Sequence, residues 1–282
     1  MGQFTSPDIP TLYSGLQSAR PTASSAYVGR FYFATDTRKR YICQDFGAGP
    51  VWALDWYDRR YPTDSNDRIV LKCNETSGTT LVNSGPESSS DFTITGTPIL
   101  GDSGVYDVGI GFTGGEYATG PTAFEPATNI TVSMVVKIKQ IKFTRFICKA
   151  YNAGHSAPYT SMFFYTNSGG NFVAGINVGA TERIPTLFGN SLIVNRPYHI
   201  ALTYDGATIK VFIDGRKAGS MSQTGSIDWG DHQAWELSRF NPSEEYNGVM
   251  QDVRIGNVTR SEAYMREAAL RALGVYTENE IA

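Results

Sequence analysis

The chain lacks the features that mark membrane-spanning, secreted and nucleic-acid-binding proteins. None of its apolar runs approaches the roughly 18 residues that a spanning helix needs. The first residues, MGQFTSPDIP, contain no basic stretch followed by an apolar core, so we expect no secretory signal. The 24 lysines and arginines are outnumbered by 27 aspartates and glutamates, for a net charge of −3. We therefore expect no membrane span and no nucleic-acid partner.

Cysteine is scarce, and its spacing argues against a zinc site. Cys43, Cys73 and Cys148 lie far apart, and no CxxC or CxxH pair occurs. The odd number favours reduced, buried thiols in a chain that folds in a cytoplasm. A single Cys43–Cys73 or Cys73–Cys148 bridge is also compatible with the sequence.

The motifs of common catalytic sites are missing as well. A glycoside hydrolase needs two carboxylates about 5 or 6.5–9.5 Å apart, which on one strand requires acids at alternate positions, as in ExDxxE. No such pattern occurs, and no G-x-S-x-G motif accompanies His155, His199 or His232. The glycine-rich segment VGIGFTGGEY lacks the Lys-Ser/Thr pair and the helix of a phosphate loop. We expect no catalytic residue and no enzymatic activity.

The most informative stretch that is present covers residues 196–221, RPYHIALTYDGATIKVFIDGRKAGSM. Apolar residues alternate in two runs, first Tyr198, Ile200, Leu202 and Tyr204, then Ile209, Val211 and Ile213. Such alternation gives each strand one buried face. The pairs Asp205-Gly206 and Asp214-Gly215 follow the runs, and Asp-Gly favours hairpins because both residues tolerate positive φ. The stretch predicts three antiparallel strands joined by two tight turns.

Short strands with turn residues between them fill the rest of the region from Ile69 to Val258, and no helix interrupts them. Besides the hairpins above, the predicted strands are Ile69–Lys72, Thr79–Val82, Phe92–Thr95, Val108–Phe112, Ile130–Lys139, Arg145–Lys149, Ser161–Thr166, Asn171–Val178, Ala234–Arg239 and Val249–Val258. The pattern predicts an all-β fold in which two antiparallel sheets form a jelly-roll sandwich. Residues Thr259–Leu273 change to a helical period, with Ser261 as N-cap, and predict a short C-terminal helix.

The first 58 residues differ from the rest and predict a separate module. Residues 1–26 are rich in proline and read as an extended arm, and residues 27–58 predict a small three-stranded meander. A meander of this size has little core of its own, so its aromatic residues must pack elsewhere. We expect a homo-oligomer, or attachment to other proteins, through Phe4, Ile9, Leu12, Phe31, Phe33, Trp52 and Trp56. A hinge at 59–68, a sandwich domain at 69–273 and a tail at 274–282 complete the predicted organisation.

The segment RPYHIALTYDGATIKVFIDGRKAGS resembles the signature of laminin-G-like domains of the concanavalin A-like superfamily, which reads W-H-H-V-A-x-T-Y-D-G before a strand and V-D-G. The segments DRIVLKCNETSGTTLVNSG, YDVGIGFTGGEYATGP and YNGVMQDVRIG resemble other strands of such domains. Many of these domains bind calcium at a loop rim. The resemblance makes Asp102, Asp107 and Glu116 candidate calcium ligands, although they lack EF-hand-like spacing, and it implies no other cofactor.

Sugar binding is the usual non-catalytic function of that family, and it uses exposed aromatic and amide side chains. The candidate glycan-binding residues on predicted loops are Tyr151, Asn152, His155, Tyr159, Trp229, His232, Asn241 and Tyr246. The alternative is that the aromatic residues are buried in the sandwich or in an interface, as Trp and Tyr often are.

A second resemblance concerns the meander. The segment GRFYFATDTRKRYIC with the following VWALDW resembles a short module of tailed-bacteriophage fibre and head-associated proteins, G-x-x-Y-F-A-T-D-T-x-x-L-Y. Together the two resemblances imply a virion structural protein that folds in the host cytoplasm and lies on the virion surface. A capsid decoration or head-fibre protein is the main hypothesis. The alternatives are a tail-fibre protein that binds a host surface polysaccharide, and a polysaccharide-degrading enzyme.

Overall fold

The computed structural model describes residues 63–87, 90–104, 108–241 and 244–273 in full, and the backbone of four strands before residue 63. The chain divides into two compact units, Met1–Arg59 and Arg60–Ala282. No helix in the described part of the chain is long and apolar enough to cross a membrane.

The first unit contains one four-stranded sheet, ordered β1 (Leu12–Gly15), β2 (Phe31–Ala34), β3 (Lys39–Asp45) and β4 (Pro50–Leu54). Strands β2 to β4 form the predicted antiparallel meander. The sequence did not predict β1, which pairs in parallel with β2, because a parallel partner distant in the chain leaves no local signal. Phe4, Ile9 and Trp56 lie outside the described residues, as do the side chains of Leu12, Phe31, Phe33 and Trp52, so anchoring stays a prediction.

The second unit is a jelly-roll sandwich of two antiparallel sheets, as predicted. Its strands are β5 (Asp67–Leu71), β6 (Thr80–Leu81), β7 (Phe92–Thr95), β8 (Ile99–Ser103), β9 (Val108–Phe112), β10 (Tyr117–Thr119), β11 (Asn129–Ile138), β12 (Thr144–Ala150), β13 (Thr160–Thr166), β14 (Phe172–Asn177), β15 (Glu182–Arg183), β16 (Pro197–Asp205), β17 (Thr208–Ile213), β18 (Arg216–Ser222), β19 (Trp235–Leu237) and β20 (Gly248–Gly256). Sheet I has the order β18-β17-β16-β11-β20-β9-β8, with β5 also paired to β20, and sheet II has the order β15-β14-β13-β12-β19-β10-β7-β6. The sequence did not predict β8 because none of its residues is buried, and it did not predict β10 and β15 because they contain only three and two residues.

The core lies between the two sheets and follows from the alternation of apolar residues. Tyr198, Ile200, Leu202 and Tyr204 of β16 are all at most 2% exposed and face the core. Phe146, Phe164 and Phe172 of sheet II belong to the same cluster of buried residues. Burying each side chain of this size contributes about 1.5–3 kcal/mol, so the facing layers stabilise the sandwich.

The two predicted hairpins form, but their turns differ. In the β17–β18 turn, Asp214 and Gly215 both have positive φ, as a two-residue primed turn requires. In the β16–β17 turn only Gly206 has positive φ, and Asp205 remains in the strand, which corrects the expectation for that pair. The Asp205 carboxylate instead accepts hydrogen bonds from the backbone N–H groups of Ala207 and Thr208, at 2.9 and 2.6 Å.

The C-terminal helix α1 (Glu262–Leu273) packs on the outer face of sheet I, where its buried Met265 joins Ala201 and Phe212. The Ser261 hydroxyl accepts a hydrogen bond from the Tyr264 N–H at 3.1 Å, which confirms the predicted N-cap. The buried residues of the helix are Met265, Ala268, Ala269 and Ala272, whereas Leu273 is only half-buried.

A network of ion pairs, most of whose members are buried, holds the start of the sandwich to its end on the same outer face. Arg254 of β20 pairs with Asp67 and Asp252 at 3.2 and 3.0 Å, and Arg260 pairs with Asp64 and Asp67 at 2.7 and 2.9 Å. The hydrogen bond from Arg260 lowers the pKa of Asp64 to about 2. Asp67, which takes part in these ion pairs, is also the first residue of β5. This strand thus begins within the segment 59–68 that was predicted to be a hinge.

Candidate functional site

Four loops meet at one end of the sandwich and form what we call the rim: residues 121–126, 151–159, 178–181 and 225–234. Asp228 joins three of them through its side chain. One carboxylate oxygen accepts hydrogen bonds from the Tyr151 hydroxyl at 3.1 Å and from the Ala180 N–H at 2.9 Å. The other accepts one from the Gly230 N–H at 3.2 Å. Because one carboxylate binds three separate chain segments, it fixes the shape of the rim.

The Tyr151 phenol is oriented by the same contact. Partial burial and the Asp228 hydrogen bond raise its pKa above the usual value for tyrosine, so it stays a donor. The backbone carbonyl of Tyr151 accepts a hydrogen bond from the Asp231 N–H at 2.8 Å. Hydrogen bonds at the backbone carbonyl and at the hydroxyl therefore hold Tyr151 in place, and the residue is half-buried.

Lys149 ties the rim to the core from below. Its fully buried ammonium group donates to the carbonyls of Thr122 at 2.8 Å and of Gln233, and pairs with Glu125 at 3.1 Å. It also lies 5.8 and 5.7 Å from the ring centroids of Trp229 and Trp235, within the range of a cation–π contact. Burial lowers its pKa, although the contacts with Glu125 oppose the shift. This single side chain connects loops 121–126 and 225–234.

Glu125 extends the connection to the surface. Its second carboxylate oxygen lies 2.5 Å from Nδ1 of His232, whose side chain is 71% exposed. Asn152 shapes the neighbouring loop, since its side chain bonds the backbone N–H and carbonyl of Ser156 at 3.1 and 2.9 Å. His155 packs edge-on against Phe240, with ring centroids 4.6 Å apart.

The rim brings together most of the residues that the sequence predicted for glycan binding. Tyr159, His155 and His232 are exposed there, and Tyr151 and Asn152 are half-buried. Two residues of the predicted set are core residues, which corrects the sequence-based assignment. Trp229 is 7% exposed, packs on Trp235 and donates its Nε1–H to the Pro126 carbonyl at 3.1 Å. A ring that is buried in this way cannot stack on a sugar.

Tyr246 and Asn241 belong to a segment outside the four rim loops. Tyr246 is fully buried against Phe112 and Phe146, with its hydroxyl on the Val249 carbonyl at 3.1 Å. Asn241 donates to Glu244 at 2.9 Å. The burial of Tyr246 corrects its assignment to a glycan site.

Sequence reasoning missed Asp228, Lys149 and Glu125 as organisers of the rim. The Asp-Trp-Gly-Asp segment signals a turn, which accounts for the contact of Asp228 with Gly230. Its contacts with Tyr151 and Ala180 join residues 77 and 48 positions apart in the chain. No local pattern encodes such contacts.

The candidate calcium ligands are engaged in other contacts where the structure describes them. Asp102 pairs with Lys139 at 2.7 Å. The carboxylate of Glu116 accepts hydrogen bonds from the N–H and hydroxyl of Thr113, at 2.9 and 2.7 Å. Asp107 lies outside the described residues. Among those that are described, no three His, Cys, Asp or Glu side chains gather as metal ligands, and calcium binding stays a prediction.

Cys148 is a buried free thiol whose Sγ contacts the Arg239 carbonyl at 3.2 Å. Burial raises its pKa far above the usual value, so it stays protonated. The Cys73–Cys148 bridge that the sequence allowed is therefore absent.

A family model described as the concanavalin A-like lectin/glucanases superfamily, of laminin-G type, matches residues 112–264. Since the match spans more than half of the chain, this protein belongs to that superfamily. A comparison with curated proteins returned no significant match.

Solved structures share the fold at low sequence identity. The binding domain of Paraclostridial Mosquitocidal Protein 1 is 11% identical with a TM-score of 0.58, and the match covers 76% of this chain and 52% of that one. The receptor binding domain of botulinum neurotoxin D is 12% identical with a TM-score of 0.56, covering 73% and 53%. Trypanosoma rangeli sialidase is 12% identical with a TM-score of 0.54, covering 86% and 44%. This chain thus spans about half the length of each, and at such identities the likeness concerns the fold alone.

Proposed function

We propose that this protein is a non-catalytic structural component of a tailed-bacteriophage virion, in which the N-terminal unit attaches to the particle and the sandwich is a lectin-like domain displayed outward. The division into two compact units carries the proposal. The sandwich has two eight-stranded sheets with a shared core, whereas the first unit has four short strands. A sheet that small needs a further surface for stability, and another virion protein or another copy of the chain supplies one.

A capsid decoration or head-fibre protein fits the chain better than a tail fibre. Tail fibres usually contain repeats or coiled-coil heptads, and residues 1–282 contain neither. A tail-fibre protein that recognises host glycans is the second candidate. The rim favours it, because Tyr159 and His232 are exposed on loops that buried contacts hold in place.

The contacts of the two rim carboxylates, Asp228 and Glu125, support a non-catalytic role. Asp228 is occupied by Tyr151, Ala180 and Gly230, and Glu125 by Lys149 and His232. A general acid or base needs a proton site that faces the substrate, and both carboxylates serve the loop structure instead. The superfamily also contains enzymes, so the release of reducing sugar from host capsule would contradict this role.

The deciding experiment is immunogold electron microscopy of purified phage particles with an antibody against the sandwich. We expect label over the head. Label at the tail tip would replace the decoration role with receptor binding, and an absence of label from every particle would refute the virion proposal.

A glycan array, with and without calcium, tests the rim separately. We expect Tyr159→Ala to remove any binding at the rim, because Tyr159 is 49% exposed and available for stacking. Phe143→Ala is the matched control, since it removes an exposed aromatic ring outside the rim. Equal loss in both variants would refute a rim site.

A further inference from the structure

A groove of about 830 Å³ lies outside the four rim loops, between α1, the β17–β18 hairpin and the segment before β16. We call it the basic groove. Its lining includes four cationic side chains and one acidic side chain, together with an exposed phenylalanine: Arg196, Arg216, Lys217, Arg266, Asp214 and Phe188. Its volume is in the range of small-ligand sites, which is about 300–1,000 Å³.

The charges of the basic groove are only partly compensated. Arg196 pairs with Asp214 at 2.8 Å, and Lys217 shares Glu262 with Lys210 at 3.1 and 3.2 Å. Arg216 is exposed and forms no ion pair within the described part of the chain. The groove therefore carries an excess of positive charge in a chain whose net charge is −3, and it attracts anions.

Phe188 stands at the edge of the groove and is 78% exposed, although its backbone is fixed. Its N–H donates to the Ala218 carbonyl of β18 at 2.9 Å. A side chain at Gly219 would lie 2.3 Å from the Thr186 carbonyl, so glycine allows the segment to approach the strand. On the C-terminal side of Phe188, the segment is held by a hydrogen bond from the Leu192 N–H to the Gly170 carbonyl at 2.9 Å. The Phe188 ring is therefore exposed at the groove while its backbone is held in place, so a ligand can pack on it without first ordering the segment.

The chemistry of the lining selects the ligand. Arginine guanidinium groups bind carboxylates through paired hydrogen bonds, and the apolar face of a sugar ring packs on an aromatic ring. A peptide would add a strand to the free edge of β18, but the Phe188 contact already occupies that edge at Ala218. We propose that the basic groove binds an acidic polysaccharide, with a sugar ring on Phe188 and a sugar carboxylate on Arg216. This site is separate from the rim and does not depend on the virion role.

The test is calorimetry of the full chain with oligogalacturonate, oligoalginate and hyaluronate, and with methyl-esterified oligogalacturonate as the uncharged control. We expect at least one acidic oligosaccharide to bind, with an affinity that falls as salt is added, and the ester to bind much more weakly. Arg216→Glu and Phe188→Ala should each weaken binding by about tenfold or more. Lys72→Glu makes the same change of charge directly after β5, which is separated from β17 in sheet I by β16, β11 and β20. This variant should leave the affinity unchanged.

Several results would overturn the proposal. These are no binding of any of the three acidic oligosaccharides, equal binding of the methyl ester, and equal weakening by Lys72→Glu and Arg216→Glu. Binding of poly-glutamate as tightly as of the sugars would show a surface that recognises charge alone. Thermal unfolding of each variant shows that the sandwich remains folded. Tyr159→Ala should keep full affinity in the groove, so failure at the rim and failure at the groove are distinguishable.

Discussion

We expect His199 to make the sandwich less stable at mildly acidic pH than at neutral pH. The side chain lies in β16, 4% exposed, and its Nδ1 has no hydrogen-bond partner within the described part of the chain. Burial, with a smaller contribution from the Arg254 cation, lowers its pKa from 6.5 to about 4. The folded protein therefore holds a neutral imidazole at a pH at which the unfolded chain is already protonated.

The direction of the effect follows from proton binding. Below about pH 6.5 the unfolded state binds a proton that the folded state does not bind, so stability decreases as the pH falls toward 4. For a shift of this size, the free energy of unfolding decreases by about 2 kcal/mol between pH 7 and pH 5. His199→Phe removes the titrating group while keeping an aromatic ring of similar size, and should remove this part of the pH dependence.

The assay is urea unfolding at the two pH values, followed by fluorescence, with the wild-type pH difference compared with that of each variant. His155→Gln is the control, because His155 is exposed, and it should keep the wild-type difference. An equal pH dependence of wild type and His199→Phe would refute the reasoning, as would an NMR titration in which the His199 imidazole protonates near 6.5.

Three further substitutions test the fold and the rim, each by urea unfolding. Lys149→Ala should cost about 3–5 kcal/mol, because it removes the buried cation that pairs with Glu125, whose side chain is only 13% exposed, and Lys149→Met should cost less. A loss under 1 kcal/mol for the alanine variant would show that the pair contributes little. Gly215→Ala should destabilise by about 1–3 kcal/mol, since φ is +74° and the added carbon would lie 2.7 Å from the Arg266 Cα. Gly179→Ala, with φ of +62° and open space around it, is its control and should cost less. Ser261→Ala should cost about 1 kcal/mol through the lost N-cap of α1, and an unchanged midpoint would contradict the assigned cap.

The predictable parts of this protein rest on patterns that repeat within a few residues. The alternation from Tyr198 to Tyr204 was sufficient to assign a strand and its buried face, because side chains of a strand point to opposite sides in turn. Ser261 was assigned as a cap for the same reason, since it bonds a backbone group three positions away. The candidate rim residues on loop 151–159 also followed from the sequence, because turn residues mark that loop.

The tertiary structure decided which of the candidate residues are accessible and what holds the rim in place. The composition of the 225–234 loop does not distinguish the buried Trp229 from the exposed His232; packing against Trp235 and Lys149 does. Asp228 reads as an ordinary turn residue until folding brings it to Tyr151 and Ala180. The basic groove likewise combines residues from segments 188–198, 213–218 and 266–273. The sequence alone determined most of the strands, the helix and the class of fold, because these depend on local periodicity. Only the tertiary structure determined the candidate binding surfaces, because they depend on contacts between residues that are distant in the chain.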